Sequence, residues 1–115
     1  EDEPTCELAN FADGALYCVG DTDITGSRSR GASPYGILNL SDNVYEYVQD
    51  WDGGADYFAT GGPPWIDPQG PDSGTVKVAK GGVWAGDASY LEMSLRGTYY
   101  VFQFNEYTGL RCASD

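Results

Sequence analysis

A small domain made mostly of short strands and loops is what this sequence predicts, on three observations. Sixteen Gly and six Pro interrupt the chain at short intervals, beside three Trp, nine Tyr and four Phe. That mixture describes many turns around large rings rather than long aliphatic helices. No stretch keeps a convincing helical period, while apolar residues alternate or run for four or five positions, as in short strands. The 115 residues suffice for one hydrophobic core, so residues 1–115 are read as one domain.

In chain order, residues 1–26 hold Cys6 and Cys18 in C-E-L-A-N-F-A-D-G-A-L-Y-C. A disulfide closing that short loop contributes roughly 3 kcal/mol. Two buried thiols are the alternative, but a Gly- and Asp-rich loop would bury thiols poorly, which favours a bridge and an oxidising compartment. Residues 25–31, T-G-S-R-S-R-G, form a polar loop whose Arg28 and Arg30 are suited to pairing with acidic neighbours.

The organising stretch is residues 33–51, S-P-Y-G-I-L-N-L-S-D-N-V-Y-E-Y-V-Q-D-W. Pro34 and Gly36 set a turn, and residues 37–40 read as a short apolar strand. Asn39, Asp42, Asn43 and Glu46 then crowd four oxygen-bearing side chains into eight residues. The alternation that follows predicts a half-buried strand, with Glu46, Val48 and Asp50 on one face and Tyr45, Tyr47 and Gln49 on the other. Oxygens converging where a turn enters a strand suit a hard cation such as calcium, which takes six to eight of them, backbone carbonyls included; a plain polar turn is the simpler use. Asp50 and Asp52 read as exposed acids. Residues 53–73 are a long Gly/Pro-rich stretch carrying Tyr57, Phe58 and Trp65. Residues 76–79 are a short strand running into G-G-V-W at 81–84, where glycines let the backbone turn beside a large ring.

The net charge is −12 and there is no His. Nucleic acid and anionic membranes are disfavoured as partners, because both would repel such a surface. No run of about 18 apolar residues offers a membrane span. No signal peptide is visible, and the abrupt start at Glu1 reads as that of a processed product.

Three motifs in order carry a resemblance. The 33–51 segment is followed by D-P-Q-G-P-D-S-G-T-V-K-V-A-K-G-G-V-W (67–84) and then by G-L-R-C-A (109–113). This series resembles the formylglycine-generating-enzyme (sulfatase-modifying factor) family, whose motifs are G-L-Y-D-M-x-G-N-V-W-E-W, N-P-x-G-P-x-S-G-x-x-x-V-x-R-G-G-S-W and G-F-R-C-A. The resemblance implies an α+β, loop-rich, C-type-lectin-like fold with short antiparallel strands. It covers roughly the C-terminal half of the family's domain, since the L-P-T-E-A-E-W-E-like helix and the P-W-G turn of the first half do not occur here. The family's terminal Cys commonly pairs within that first half, so Cys112 is expected to be a free buried thiol or joined to another chain.

The resemblance further implies calcium, held by the Asn39 and Glu46 side chains and the Asp42 and Val44 carbonyls. A second calcium region matches Asn10, the Phe11 carbonyl and Asp21. The family's copper-holding cysteines correspond to Gly86 and Leu91, neither of which ligates a soft metal. A relative of the same fold uses three histidines on iron, and this chain has none. A non-enzyme is therefore expected.

In place of a catalytic centre, residues 84–111 hold Tyr90, Tyr99, Tyr100, Phe102, Asn105 and Tyr107, a Tyr-rich set suited to recognition. Packing or a subunit interface would use the same residues. The segment also looks like the variable region of proteins diversified by retroelements. The reading is a calcium-stabilised, secreted, periplasmic or cell-surface module that presents residues 90–107 to a protein partner. The alternatives are a diversified ligand-binding protein and a fragment of an enzyme whose catalytic parts lie elsewhere. Burying Trp51, Trp65 and Trp84 is expected to need another polypeptide, whether the missing half or a neighbouring subunit.

Overall fold

A computed structural model describes residues 3–54 and 70–112. Its elements run β1 (Ala12–Asp13), β2 (Leu16–Tyr17), a 3-10 turn (Ser29–Gly31), β3 (Tyr45–Trp51), β4 (Val76–Lys80), a second 3-10 turn (Ala88–Leu91), β5 (Gly97–Tyr100) and β6 (Thr108–Gly109). The loop-rich, short-stranded architecture expected of the α+β class is what is found. The sheet order is β5-β4-β3-β6. One pairing departs from the antiparallel expectation: β6 runs parallel to β3, through Tyr45 opposite Thr108 and Glu46 opposite Gly109.

The alternation from residue 44 onward produces β3, and its Tyr45–Tyr47 face meets the core. Tyr45, Ala79 and Val83 are buried together, with Tyr47, Trp84, Tyr99 and Tyr107 packed on them. The register against β4 shifts between Tyr47 and Trp51, so strict two-face alternation ends within the strand. Trp51 is half-buried beneath Lys77, whose Nζ lies 4.2 Å from the ring centroid. Trp65 lies outside the described residues, as do Tyr57 and Phe58.

Residues 37–40 are not a strand, which corrects the apolar-run reading. Asn39 sits in the left-handed region at φ 52°, and the Leu38 and Asn39 carbonyls accept from the Arg111 guanidinium at 2.9 and 3.1 Å. A side chain from the far end of the chain thus takes the place of a ladder. The preceding turn forms as expected, with Gly36 N donating to the Ser33 carbonyl. After β4, a Cβ on Gly81 would lie 2.9 Å from the Leu40 carbonyl oxygen, and one on Gly82 2.8 Å from that of Tyr90. Both glycines also have positive φ, so the close approach and the turn have the same cause.

The Cys6–Cys18 bridge is present, with Cα atoms 5.3 Å apart. Arg28 pairs with Asp23 at 2.9 Å, and Arg30 with Glu7. Asp50 and Asp52 are half-buried rather than exposed, and Asp52 lies 3.9 Å from Arg96. Cys112 is free among the described residues and exposed, not buried. No helix among them is long and apolar enough to cross a membrane.

Val78 is fully enclosed in β4, the strand between β3 and β5. Val78→Ala should therefore lower unfolding free energy by about 2 kcal/mol, from two lost methyl groups and the cavity they leave. A urea midpoint indistinguishable from the parent's would show that β4 is not the centre of the core.

Candidate functional site: an oxygen-rich cavity and a tyrosine-walled cavity

Buried carboxamides build the first region. Asn10 is wholly enclosed; its Nδ2 donates to the Asp21 carbonyl at 2.9 Å and to Asn43 Oδ1 at 3.0 Å. Asn43 Oδ1 also accepts from Asp23 N at 2.7 Å, and Asn43 Nδ2 donates to the Asp23 carbonyl at 3.2 Å. Asp42 accepts from Asn10 N through Oδ2 and from Asn39 Nδ2 through Oδ1, both at 2.9 Å. Asn43 sits at φ 71°, a left-handed conformation that Asn adopts more readily than most residues other than Gly. Among the described residues other than glycine, the left-handed ones are Asn39 and Asn43, so the backbone demand falls beside Asp42 rather than on it.

Asn39, Asp42, Val44 and Glu46 line one cavity of about 440 Å³, together with Arg111 and Cys112. The structure thus brings the four residues singled out from the sequence into one place. Their oxygens suit a hard cation. Among the described residues no three His, Cys, Asp or Glu side chains converge, so an ion here would rely on amide and carbonyl oxygens too, which calcium accepts. A positive group already uses part of this set: Arg111 Nε donates to Glu46 Oε2 at 2.7 Å. Asn39 Oδ1 accepts from Gly26 N at 2.7 Å.

In the second region, Asn10 Oδ1 is buried without a hydrogen-bond partner, an orphan acceptor that fits a cation. The Phe11 carbonyl accepts from Cys18 N at 3.0 Å. Asp21 Oδ1 accepts from Thr22 N. Only the Asp21 carbonyl, not its carboxylate, is bonded to Asn10. The sequence had no signal for the part played by Asn43 as the hub.

The aromatic set divides. Tyr90, Tyr100 and Phe102 are exposed. Tyr100 and Phe102 pack side by side, with centroids 5.5 Å apart. Tyr99 and Tyr107 turn inward: Tyr99 lies 5.5 Å from Tyr45 and Tyr107 5.8 Å from Trp84. Asn105 Oδ1 accepts from Tyr107 N and Thr108 Oγ1, so its side chain is engaged in a turn. Tyr45, Tyr90, Tyr99 and Tyr107 line a second cavity of about 380 Å³, beside Gly86 and Asp87.

Comparison with known proteins places these features. The Sulfatase-modifying factor enzyme 1-like domain model matches residues 8–115. A formylglycine-generating enzyme of Thermomonospora curvata is 36% identical over 107 residues, covering 87% of this chain and 35% of that protein. Another, from Streptomyces coelicolor, is 31% identical, covering 70% and 26%. The serine/threonine-protein kinase pkn1 of Chlamydia caviae is 34% identical over 92 residues, covering 80% and 15%. The chain spans about a third or less of these relatives.

Burial pushes Tyr45 up to about 12, with Tyr99 and Tyr90 adding to the shift, from an ordinary value of 10.0. The neutral phenol is favoured by the fold, so its contribution is intact below pH 10 and is lost as pH rises to about 12. Stability in urea should fall across that window while ultraviolet absorbance shows a late-ionising tyrosine, and Tyr45→Phe should flatten the fall. A second test concerns the hub: Asn43→Ala should cost about 2–3 kcal/mol by stranding Asn10 and the Asp23 backbone. A loss under half of that would place the tie elsewhere. On its matched motifs and this match, the chain belongs to the sulfatase-modifying factor (formylglycine-generating-enzyme) family.

Proposed function

We propose that this chain is a non-catalytic, calcium-stabilised binding or assembly module of an extracellular, periplasmic or cell-surface protein, presenting its aromatic face to another polypeptide. The observation that carries the reading is the strip Tyr100, Val101, Phe102 and Phe104, exposed by 47%, 48%, 67% and 104%. Contiguous apolar exposure of this kind marks interaction surfaces. The disulfide supports an oxidising compartment. Gly86 and Leu91, where the family's cysteines stand, support loss of the copper chemistry. The match to a segment of a protein named as a kinase supports a domain used within chains of different named activity.

Calcium would draw on Asn39, Asp42, Val44 and Glu46, with Arg111 yielding or sharing the Glu46 carboxylate. Glu46→Gln should lower the melting temperature by about 5 °C in calcium and leave added chelator almost without effect. Chelation that never shifts the parent's melting temperature would remove calcium from the reading.

Identity to formylglycine-generating enzymes favours a second reading, a piece of an enzyme whose catalytic residues lie elsewhere. Two measurements separate them. Sedimentation of the chain alone should give a mass above 12.4 kDa, and replacing Tyr100 and Phe102 together by Ser should return it to 12.4 kDa. A parent sedimenting as a folded 12.4 kDa monomer would overturn the assembly reading. Conversion of a cysteine peptide to formylglycine by the natural full-length protein with copper would instead establish the enzyme.

A further inference from the structure

The tyrosine-walled cavity has a definite chemistry. The Tyr45 and Tyr99 rings meet at 47° with centroids 5.5 Å apart, forming a corner rather than a stack. Tyr90 closes another side, and Gly86 makes that possible. A Cβ at position 86 would fall 2.6 Å from Tyr90 Cγ, so any side chain there would drive the ring out. Glycine at the position of a family cysteine therefore has a structural consequence: it seats a ring.

The charge around the cavity has one sign. Its lining contains neither Lys nor Arg, and Asp87 stands among the tyrosines. Hydrogen bonds from the Ser89 hydroxyl and backbone hold the Asp87 carboxyl below its usual range, so it is an anion at neutral pH. Glu106 is the chain neighbour of Tyr107 and raises its phenol, so a second carboxylate lies close to that residue. Tyr45 and Tyr99 are neutral phenols at neutral pH, as any tyrosine is, and burial raises them further. With a net charge of −12 behind them, these walls repel anions. Ring faces with a nearby carboxylate attract a cation, and a cation clothed in methyl groups loses little hydration on entering. A neutral polar ligand would ask for amides and several carboxylates, which this lining lacks.

We propose that the cavity walled by Tyr45, Tyr90, Tyr99 and Tyr107, with Asp87 at its rim, binds a small quaternary ammonium ion of the choline type. The assignment rests on the reading of this face as a recognition surface and names its ligand class. Tyr90 is the adjustable wall, Gly86 the position that admits it, and Asp87 the charge that selects sign.

Titration calorimetry of the natural full-length protein with choline, and with its uncharged carbon analogue 3,3-dimethyl-1-butanol, is the test. Choline should bind at least tenfold more tightly than the analogue. Tyr90→Ala should weaken choline at least fivefold, the factor carried by a contact of about 1 kcal/mol, and Tyr90→Phe should stay within about twofold. Gly86→Ala should weaken it as much as Tyr90→Ala by expelling the ring, with circular dichroism unchanged. Asp87→Asn should weaken it severalfold, and more at low salt than at high salt. Equal binding of choline and the analogue, or no saturable heat with choline in the millimolar range, would overturn the proposal. So would full choline affinity in a folded Gly86→Ala variant. Failure of the assembly reading shows separately, because Tyr100 and Phe102 lie outside the cavity lining and are read by sedimentation.

Discussion

The structure depends on one buried carboxamide. Asn43 joins the loop at Asn10, the loop at Asp23 and, through its carbonyl, the backbone of Trp84. Two of these segments are fixed by a side chain with one acceptor oxygen and two donor hydrogens, and the third by the backbone carbonyl of the same residue. A loop-rich chain has backbone groups that no sheet satisfies, and each left bare in the interior would cost as much as a lost hydrogen bond. Asn43 meets that demand for three segments at once, and its left-handed backbone aims it there. The entry of β3, one residue later than Val44, is set by the same residue.

What was legible in the sequence follows from which interactions are local. β3 and β4 were readable because period-two patterning survives in a strand with one face on a core. The Cys6–Cys18 bridge was readable because the short loop between them leaves few other uses for two cysteines. Residues 37–40 misled because an apolar run looks the same in a strand and in a loop. What decides between them is Arg111, 72 residues from Asn39 and invisible to any local pattern. The aromatic segment was legible in composition but not in direction. Within β5 alternate residues face outward, so Tyr99 packs on Tyr45 while Tyr100, its neighbour, faces solvent. The turn made by Asn105 was not legible either, since a carboxamide in an aromatic segment suits recognition and turns alike.

The four oxygen-bearing positions 39, 42, 44 and 46 were found together because a turn entering a strand gathers them within a few residues. Arg111 was the missing partner. Its contact with Glu46 is partly exposed, and such pairs contribute about 1 kcal/mol or less. A divalent ion brings twice the charge to the same oxygens, so a guanidinium there does not by itself exclude one. Arg111 also ties the end of β6, two residues before it, to the turn before β3. One partly exposed guanidinium therefore holds the end of β6 and conditions the cavity.

Such reliance on polar ties is what a thin core demands. Among the described residues the largest fully buried side chains are Phe11, Val78 and Asn10, one of which is polar. Hydrophobic burial on that scale leaves a small margin over the conformational entropy of so many loops. The disulfide, the carboxamide hub and Arg111 each hold segments that apolar packing alone would leave loose. Meanwhile Tyr100, Phe102 and Phe104 remain outside, although they carry large apolar rings. A fold short of core that still leaves such rings in water gains most by covering them. Exposure of these rings is what an assembly module of the kind proposed above would require.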